Sequence, residues 1–207
     1  DPALRVAVLT GGTAFFSAGT DVVAWAGEPT PRGGPYGIAG RRLKKPIIAA
    51  VEGIAAGGGF EIALSTSMIV AATTASFSLP EVGLGLIAEC GGLFRGPRAL
   101  PLNIARELLL TGAPLGAKRA HALGLVNHLT EPGQALPQAL ALARQIADRA
   151  PLAVHETLAA LEALNAEDDA RGWALTEHAK TVARQSADAK EGVAAFKARR
   201  APQWQGR

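Results

Sequence analysis

The chain has 207 residues with 48% hydrophobic and 19% charged side chains and a net charge of +3, which suffices for a full core and excludes an intrinsically disordered protein. Its one cysteine, Cys90, excludes an internal disulfide and favours a reducing compartment, and the four histidines show no spacing with it that predicts a zinc site. Because no apolar run reaches the roughly 18 residues of a membrane span, we expect a cytoplasmic protein with no membrane contact and no bound metal.

The front part of the chain alternates apolar strands with tight turns and short helices. Most of the 24 glycines lie in residues 1–133. Short runs of apolar and β-branched residues between these glycines predict buried strands. Such runs occupy residues 5–10, 47–51, 68–72 and 76–79. Strands that alternate with short helices, such as residues 60–64, indicate an α/β fold.

Residues 27–40 form the longest irregular segment. They contain three prolines and several glycines, which predicts a loop. Loops beside active sites often act as lids, so we expect this segment to border the site.

The back part of the chain, residues 134–207, is rich in alanine and poor in glycine, which predicts helices. The helices predicted in this part are residues 134–149, 152–163, 168–185 and 189–200. One further short helix is predicted earlier, at residues 103–110. From residue 180 onward basic residues outnumber acidic ones. Such a tail usually faces solvent, but it could also meet a phosphorylated ligand or nucleic acid.

Two glycine-rich turns, residues 11–21 and 53–61, each follow a predicted strand. Glycine allows backbone N–H groups to approach a ligand closely, and the first turn of a helix offers unpaired N–H groups. Either turn alone is equally compatible with a tight turn that binds nothing. The chain lacks the Gly-Lys-Ser/Thr of a P-loop and the Gly-x-Ser-x-Gly of a serine hydrolase. Residues 83–88 match the dinucleotide pattern only formally, since no long strand precedes them.

The ordered set of motifs resembles the enoyl-CoA hydratase/isomerase (crotonase) family over nearly the whole chain. Ser-Ala-Gly-Thr-Asp at residues 17–21 looks like its first signature. Pro-Ile-Ile-Ala-Ala-Val-Glu-Gly at residues 46–53, followed by the triple glycine and Phe60-Glu61, looks like its second. Ser-Leu-Pro-Glu-Val-Gly-Leu-Gly at residues 78–85 looks like its third, and residues 120–127 and 188–196 are similar to later landmarks.

The resemblance implies a crotonase-like spiral of ββα units in residues 1–133, followed by a helical trimerisation region in residues 134–207. The family usually begins with a further N-terminal segment, so we expect that part of the fold to be absent from this sequence. A homotrimer or a dimer of trimers is the expected assembly.

The resemblance also implies a set of site residues. The thioester oxygen would lie between the backbone N–H groups of Thr20 and Gly58, an oxyanion hole, and Glu61 and Glu81 would move the protons. Taken alone, either glutamate could equally be a surface carboxylate in a turn or a first helical turn. Further positions that match substrate or CoA contacts of the family are Ala18, Asp21, Gly57 and Arg199, the last often reaching a neighbouring subunit.

Glu89 departs from the family pattern, which commonly has a small residue there. It is either a solvent-facing acid or a third acid that reshapes the pocket, and an unchanged substrate range and pH profile in Glu89→Gly would exclude the second possibility.

The activity implied is hydration of a 2-enoyl-CoA, with CoA as part of the substrate and no permanently bound cofactor. Isomerisation of a 3-enoyl-CoA, which needs mainly Glu81, and other lyase or hydrolase reactions of acyl-CoA thioesters remain open. Some relatives bind RNA, but a pure binding protein has no need of the glutamate pair, so we do not expect nucleic acid as a partner.

Overall fold

The computed structural model describes residues 1, 3–22, 24 and 27–207, and in this part of the chain eight short strands form two four-stranded sheets. The strands are β1 (Ala7–Thr10), β2 (Phe15–Ser17), β3 (Ile47–Val51), β4 (Ile54–Ala56), β5 (Met68–Ala72), β6 (Ser76–Ser78), β7 (Leu115–Gly116) and β8 (His128–Thr130). The first sheet has the order β1-β3-β5-β8 and is parallel throughout. The second has the order β2-β4-β6-β7, in which β6 and β7 run antiparallel.

Strands β1 to β6 alternate between the two sheets, and β7 and β8 then add one further strand to the second and the first sheet. This is the predicted spiral of ββα units. The sequence predicts plain turns at residues 11–21 and 53–61, whereas the structure has β2 inside the first and β4 inside the second. Gly53, between β3 and β4, has no room for a side chain, since a Cβ atom there would lie 2.0 Å from the carbonyl oxygen of Ala14.

Eight α-helices and two 3₁₀ helices complete the described chain. The α-helices are α1 (Gly58–Leu64), α2 (Gly92–Ala99), α3 (Leu102–Thr111), α4 (Ala117–Ala122), α5 (Ala135–Ala147), α6 (Pro151–Leu164), α7 (Ala166–Gln185) and α8 (Ala187–Ala198), and the 3₁₀ helices are Pro35–Gly37 and Pro80–Leu84. The predicted C-terminal helices are confirmed to within three residues at each end. Helix α6 starts on Pro151 itself, because proline at the first helical position sacrifices no intrahelical hydrogen bond.

The core has two parts, one on each face of the first sheet. Ile48 and Ala50 of β3 are fully buried and pack on the α5 side, against Ala139. The other face of β3 belongs to a larger core that joins both sheets and contains Phe60 and Phe77, whose ring centroids lie 5.2 Å apart. Burial on both faces explains why β3 is an uninterrupted apolar run rather than an alternating one.

Helices α7 and α8 pack against the first part of the chain near residues 80–98. Trp173 of α7 packs edge-on against Phe94 of α2, with 5.2 Å between ring centroids. Helix α8 packs on the Pro80–Leu84 helix, because Gly192 allows close approach to the Leu84 backbone. The division of the chain at residues 133 and 134 stays a prediction. Among the helices that the structure describes, none has the length and apolar character needed to cross a bilayer.

Candidate active site

The two glycine turns meet in space. A Cβ atom on Gly19 would lie 2.9 Å from the nitrogen of Gly58, and one on Gly59 would lie 2.1 Å from the carbonyl oxygen of Ser17. Glycine is therefore required for the turns to pack backbone against backbone. The φ of Gly19 is +85°, a conformation that other residues rarely adopt. The residue preceding Thr20 thus lies directly against the amide of Gly58, and the oxyanion hole implied by the family resemblance stays a prediction.

Backbone donors at this junction are available. Helix α1 begins at Gly58, so the amides of Gly58 and Gly59 have no carbonyl partner within the helix. The carbonyl oxygen of Gly57 accepts hydrogen bonds from Phe60 and Glu61. Neither the amide of Thr20 nor that of Gly58 donates a hydrogen bond to another residue in the described part of the chain. Both can therefore donate to a ligand oxygen, and the positive end of the helix dipole favours negative charge there.

Glu61 lies on α1, with its side chain turned into the protein and only 2% exposed. Its Oε1 atom accepts hydrogen bonds from the amides of Cys90 at 2.6 Å and Gly92 at 2.9 Å. Burial raises the pKa of Glu61 to about 7 and outweighs these two donors, which favour the charged form. The fold thus excludes the alternative that Glu61 is a surface carboxylate in the first turn of a helix.

Glu81 approaches the same place from the Pro80–Leu84 helix. A Cβ atom on Gly57 would lie 3.0 Å from Glu81 Oε1, so this carboxyl group lies over the entrance to α1. Its Oε2 atom is buried and has no hydrogen-bond partner among the described residues. Burial, followed by the negative charges of Glu61 and Glu89, raises the pKa of Glu81 to about 7. Two carboxyl groups that repel each other and titrate near neutrality can hold one proton between them.

Glu89 is paired rather than solvent-facing. Its side chain is 15% exposed, and both carboxylate oxygens accept hydrogen bonds from Arg184 of α7 at 2.6 Å. Its charge nevertheless contributes to the raised pKa values of Glu61 and Glu81. The structure therefore brings a third acid to the rim of the site, and its effect on the substrate range stays a prediction.

The other predicted contact residues divide into two groups. Ala18 and Asp21 flank the Gly19–Thr20 turn, and Gly57 precedes α1, so all three lie at the junction of the two turns. Arg199 is exposed at the C-terminal end of α8, about 16 Å along the helix from its first turn. The described chain does not bring Arg199 into the site, and its contact with CoA stays a prediction.

Sequence reasoning did not single out Tyr36 or Cys90 as site residues. The hydroxyl of Tyr36 lies 2.5 Å from Oγ1 of Thr20, and Cys90 holds Glu61 through its amide. The sequence signal that could have identified these two residues is their position in the chain. Tyr36 is the only tyrosine of the chain and lies in the irregular segment of residues 27–40, and Cys90 directly precedes Gly91 and Gly92.

Comparison with known proteins identifies the family of the chain. A family model for enoyl-CoA hydratase/isomerase matches residues 1–207. Carnitinyl-CoA dehydratase of Escherichia coli K12 is 41% identical over 220 residues, covering 100% of this chain and 84% of that protein. The crystal structure of carnitinyl-CoA hydratase from Mycobacterium avium superposes with a TM-score of 0.92 at 38% identity, covering 100% of this chain and 83% of the other. Enoyl-CoA hydratase from Mycobacterium tuberculosis H37Rv is 44% identical with a TM-score of 0.76 and the same two coverages, 100% and 83%. The chain therefore belongs to the enoyl-CoA hydratase/isomerase (crotonase) family, as an enzyme of its hydratase and dehydratase group.

Proposed function

We propose that this enzyme adds water across the 2,3 double bond of an acyl-CoA thioester, with Glu61 and Glu81 as the proton-transferring pair. The observation that carries the proposal is the position of two buried carboxyl groups beside the junction of the glycine turns, each with a pKa raised to about 7. Hydration needs one group to accept a proton and another to supply one. A carboxyl pair that holds a single proton near neutral pH meets both needs.

The thioester oxygen would accept hydrogen bonds from the amides of Thr20 and Gly58. Negative charge builds up on that oxygen when hydroxide adds to C3, because the electron pair of the double bond moves toward the carbonyl. One such preorganised donor stabilises a transition state by about 3 to 4 kcal/mol in comparable sites. The backbone packing of the two turns supports this role, since it brings the Thr20 turn and the start of α1 into direct contact.

The proton transfers follow from the two carboxyl environments. Ionised Glu61 would take a proton from water as the oxygen bonds to C3, and protonated Glu81 would give its proton to C2. The substrate gains one water molecule, and the proton has in effect passed from Glu81 to Glu61. Exchange with solvent then restores the pair. The same steps in reverse dehydrate a 3-hydroxyacyl-CoA.

Substrate binding and assembly complete the proposal. Ala18, Asp21 and Gly57 would line the thioester, with CoA as part of the substrate rather than a resident cofactor. The working assembly would be a homotrimer or a dimer of trimers, in which Arg199 of one subunit reaches the CoA of another. The single cysteine favours the cytoplasm as the compartment.

Dehydration is a second candidate direction, favoured by the carnitinyl-CoA dehydratase relatives at 41% identity. Carnitinyl-CoA is a 3-hydroxyacyl thioester with a quaternary ammonium group, so the same pair of acids would serve it. Isomerisation of a 3-enoyl-CoA would need mainly Glu81. Binding of RNA is less favoured, since three of the cations in the basic tail are engaged in ion pairs.

The proposal is tested by following the loss of crotonyl-CoA absorbance with wild type, Glu61→Gln and Glu81→Gln. Each substitution should lower kcat by roughly 10²- to 10⁴-fold, because each removes one proton-transfer partner. Glu107→Gln is the matched control, since Glu107 is half-exposed and pairs only with Arg119 in the described chain. It should keep the wild-type rate.

Two results would contradict the proposal. The first is a wild-type enzyme inert toward a panel that includes crotonyl-CoA and carnitinyl-CoA. The second is full activity in both glutamate variants. Retained isomerisation of a 3-enoyl-CoA in Glu61→Gln, with loss in Glu81→Gln, would instead assign the isomerase reaction. Salt-sensitive binding to RNA in place of turnover would indicate the binding relative.

A further inference from the structure

The segment of residues 27–40, predicted as a loop, is tied into a defined shape beside the site. Thr30 and Gly34 exchange backbone hydrogen bonds at 3.0 and 2.9 Å, and the amide of Gly40 donates to Gly33 at 2.8 Å. Arg95 of α2 donates to the carbonyl oxygen of Ala39 at 2.7 Å. The Arg95 guanidinium itself stacks on aromatic rings of α2 and α7. The segment thus presents its residues to the site from a fixed direction.

Tyr36 has an unusual backbone conformation within this segment. Its φ is 54° and its ψ 12°, in the left-handed region that non-glycine residues seldom occupy. Such strain persists only where surrounding contacts hold the residue, and it is concentrated at functional sites. The contacts of the Tyr36 side chain indicate the function of this conformation.

The Tyr36 hydroxyl touches both halves of the proposed oxyanion hole. It lies 2.5 Å from Oγ1 of Thr20. A Cβ atom on Gly58 would lie 2.2 Å from the phenol oxygen, so the hydroxyl occupies the space beside the Gly58 α-carbon. The thiol of Cys90 lies close to this hydroxyl, and the amide of Cys90 donates a hydrogen bond to Glu61 at 2.6 Å.

We propose that Tyr36 is a positioning residue whose phenol holds the Thr20 turn against Gly58, so that both amides face one thioester oxygen. This role rests on the proposed function, since it acts through the oxyanion hole. Among the described residues the amide of Gly19 donates only to the side chain of Ser17, at 3.2 Å. Burial raises the pKa of Tyr36, so the phenol stays protonated and able to donate throughout the working pH range.

The kinetic test compares Tyr36→Phe, Thr20→Val and the double variant. Loss of the hydroxyl should lower kcat roughly ten-fold with KM within about two-fold, because the lost interaction acts on the transition state. The double variant should be no slower than the slower single variant, because both remove one hydrogen bond. Thr20→Ser, which keeps the hydroxyl, should recover most of the rate lost in Thr20→Val.

A matched control is Thr30→Val, which deletes a hydroxyl in the same segment at a bond to the Gly33 amide. It should leave kcat unchanged. If Thr30→Val lowered kcat as much as Tyr36→Phe does, the general shape of the segment would be what matters. That result would overturn the specific role of the phenol. A rise in KM with unchanged kcat, or additive losses in the double variant, would also overturn it.

A readout independent of turnover separates this role from the proposed function. Because Tyr36 is the only tyrosine, incorporated fluorotyrosine produces a single fluorine NMR signal. Butanoyl-CoA, which has no double bond to hydrate, should shift that signal in the wild type, and Thr20→Val should shift it without ligand. Binding of butanoyl-CoA with neither shift overturns the role of Tyr36 alone. A wild type that neither binds butanoyl-CoA nor turns over any thioester overturns the proposed function and this role with it.

Discussion

At the residue scale, Glu61 and Glu81 experience opposing effects. Loss of hydration penalises their charged forms, while the amides of Cys90 and Gly92 stabilise the charge on Glu61. Burial is the larger effect for both, so their pKa values rise to about 7. A carboxyl group kept at this balance can either give or take a proton at neutral pH, whereas one in water is almost always ionised.

Glu89 influences the pKa values of Glu61 and Glu81, which predicts how its replacement changes the pH dependence of kcat/KM. Its charge raises the pKa of both site glutamates, so Glu89→Gln should lower both pKa values and move the kcat/KM profile to lower pH. Arg184→Met should move it the other way, because Glu89 loses its counter-charge. The measurement is kcat/KM against pH, and identical profiles for both variants would show that Glu89 has no electrostatic role.

Burial of Glu61 also predicts how stability depends on pH. Folding raises the pKa of Glu61 from 4.5 to about 7, so the native state loses stability as pH rises through that interval. Above the interval the loss is complete and no longer changes with pH. Glu61→Gln avoids this loss. Its free energy of unfolding relative to wild type should therefore increase between pH 5 and pH 8, by up to about 3 kcal/mol.

Urea unfolding at the two pH values measures this difference, with Glu107→Gln as the exposed control. If the difference in unfolding free energy between Glu61→Gln and wild type stayed constant with pH, the pKa of Glu61 would not be raised by folding.

At the scale of elements, the short helix Pro80–Leu84 depends on its neighbours to present Glu81. A Cβ atom on Gly112, at the end of α3, would lie 3.0 Å from the Pro80 α-carbon, and one on Gly192 of α8 would lie 2.2 Å from the carbonyl oxygen of Leu84. A single 3₁₀ turn has little stability of its own. Its position is therefore set by α3 on one side and α8 on the other.

We expect Gly192→Ala to lower activity without changing any reacting group. The added methyl group must push α8 away from Leu84, at a cost of about 1 to 3 kcal/mol, and Glu81 should shift with the short helix. Gly96→Ala is the control of opposite sign, because a Cβ atom there meets no neighbour within 4 Å. It should stabilise α2 by about 1 kcal/mol and keep the rate. Thermal unfolding and kcat measured together test both, and a fully active Gly192→Ala would show that α8 does not position Glu81.

At the scale of the whole molecule, a single chain leaves a large apolar surface uncovered. None of the residues of α6 is buried, and Leu164 at its end is 78% exposed. Leu175 and Val182 of α7 are also exposed. Isolated exposed leucines are ordinary, but several exposed apolar side chains on two successive helices are typical of an interface. This is the surface that the proposed trimer would bury.

Analytical ultracentrifugation should therefore give a mass of three or six chains. Replacing Leu164 and Leu175 together with glutamate should release single chains whose helices persist by circular dichroism, because buried charge at an apolar contact costs several kcal/mol. Turnover should fall as well if Arg199 serves the neighbouring subunit. A wild type that sediments as a single chain at micromolar concentration would contradict the proposed assembly.

The elements of the fold were largely predictable because their signals are local. Strands β3 and β5 are apolar runs that the structure reproduces at residues 47–51 and 68–72, and the C-terminal helices follow from alanine content and proline positions. Strands β2 and β4 were missed because three residues are too few to show an alternating pattern among glycines.

Sequence alone determined the family, the glycine turns and the two glutamates, because these depend on residue types at fixed spacings along the chain. Only the tertiary structure decided that both carboxyl groups are buried, that Glu89 pairs with Arg184, and that Tyr36 reaches Thr20. The physical reason is that desolvation and hydrogen bonding at the site come from segments far apart in sequence. A pKa or a side-chain contact is a property of that assembled environment, and no spacing within one segment encodes it.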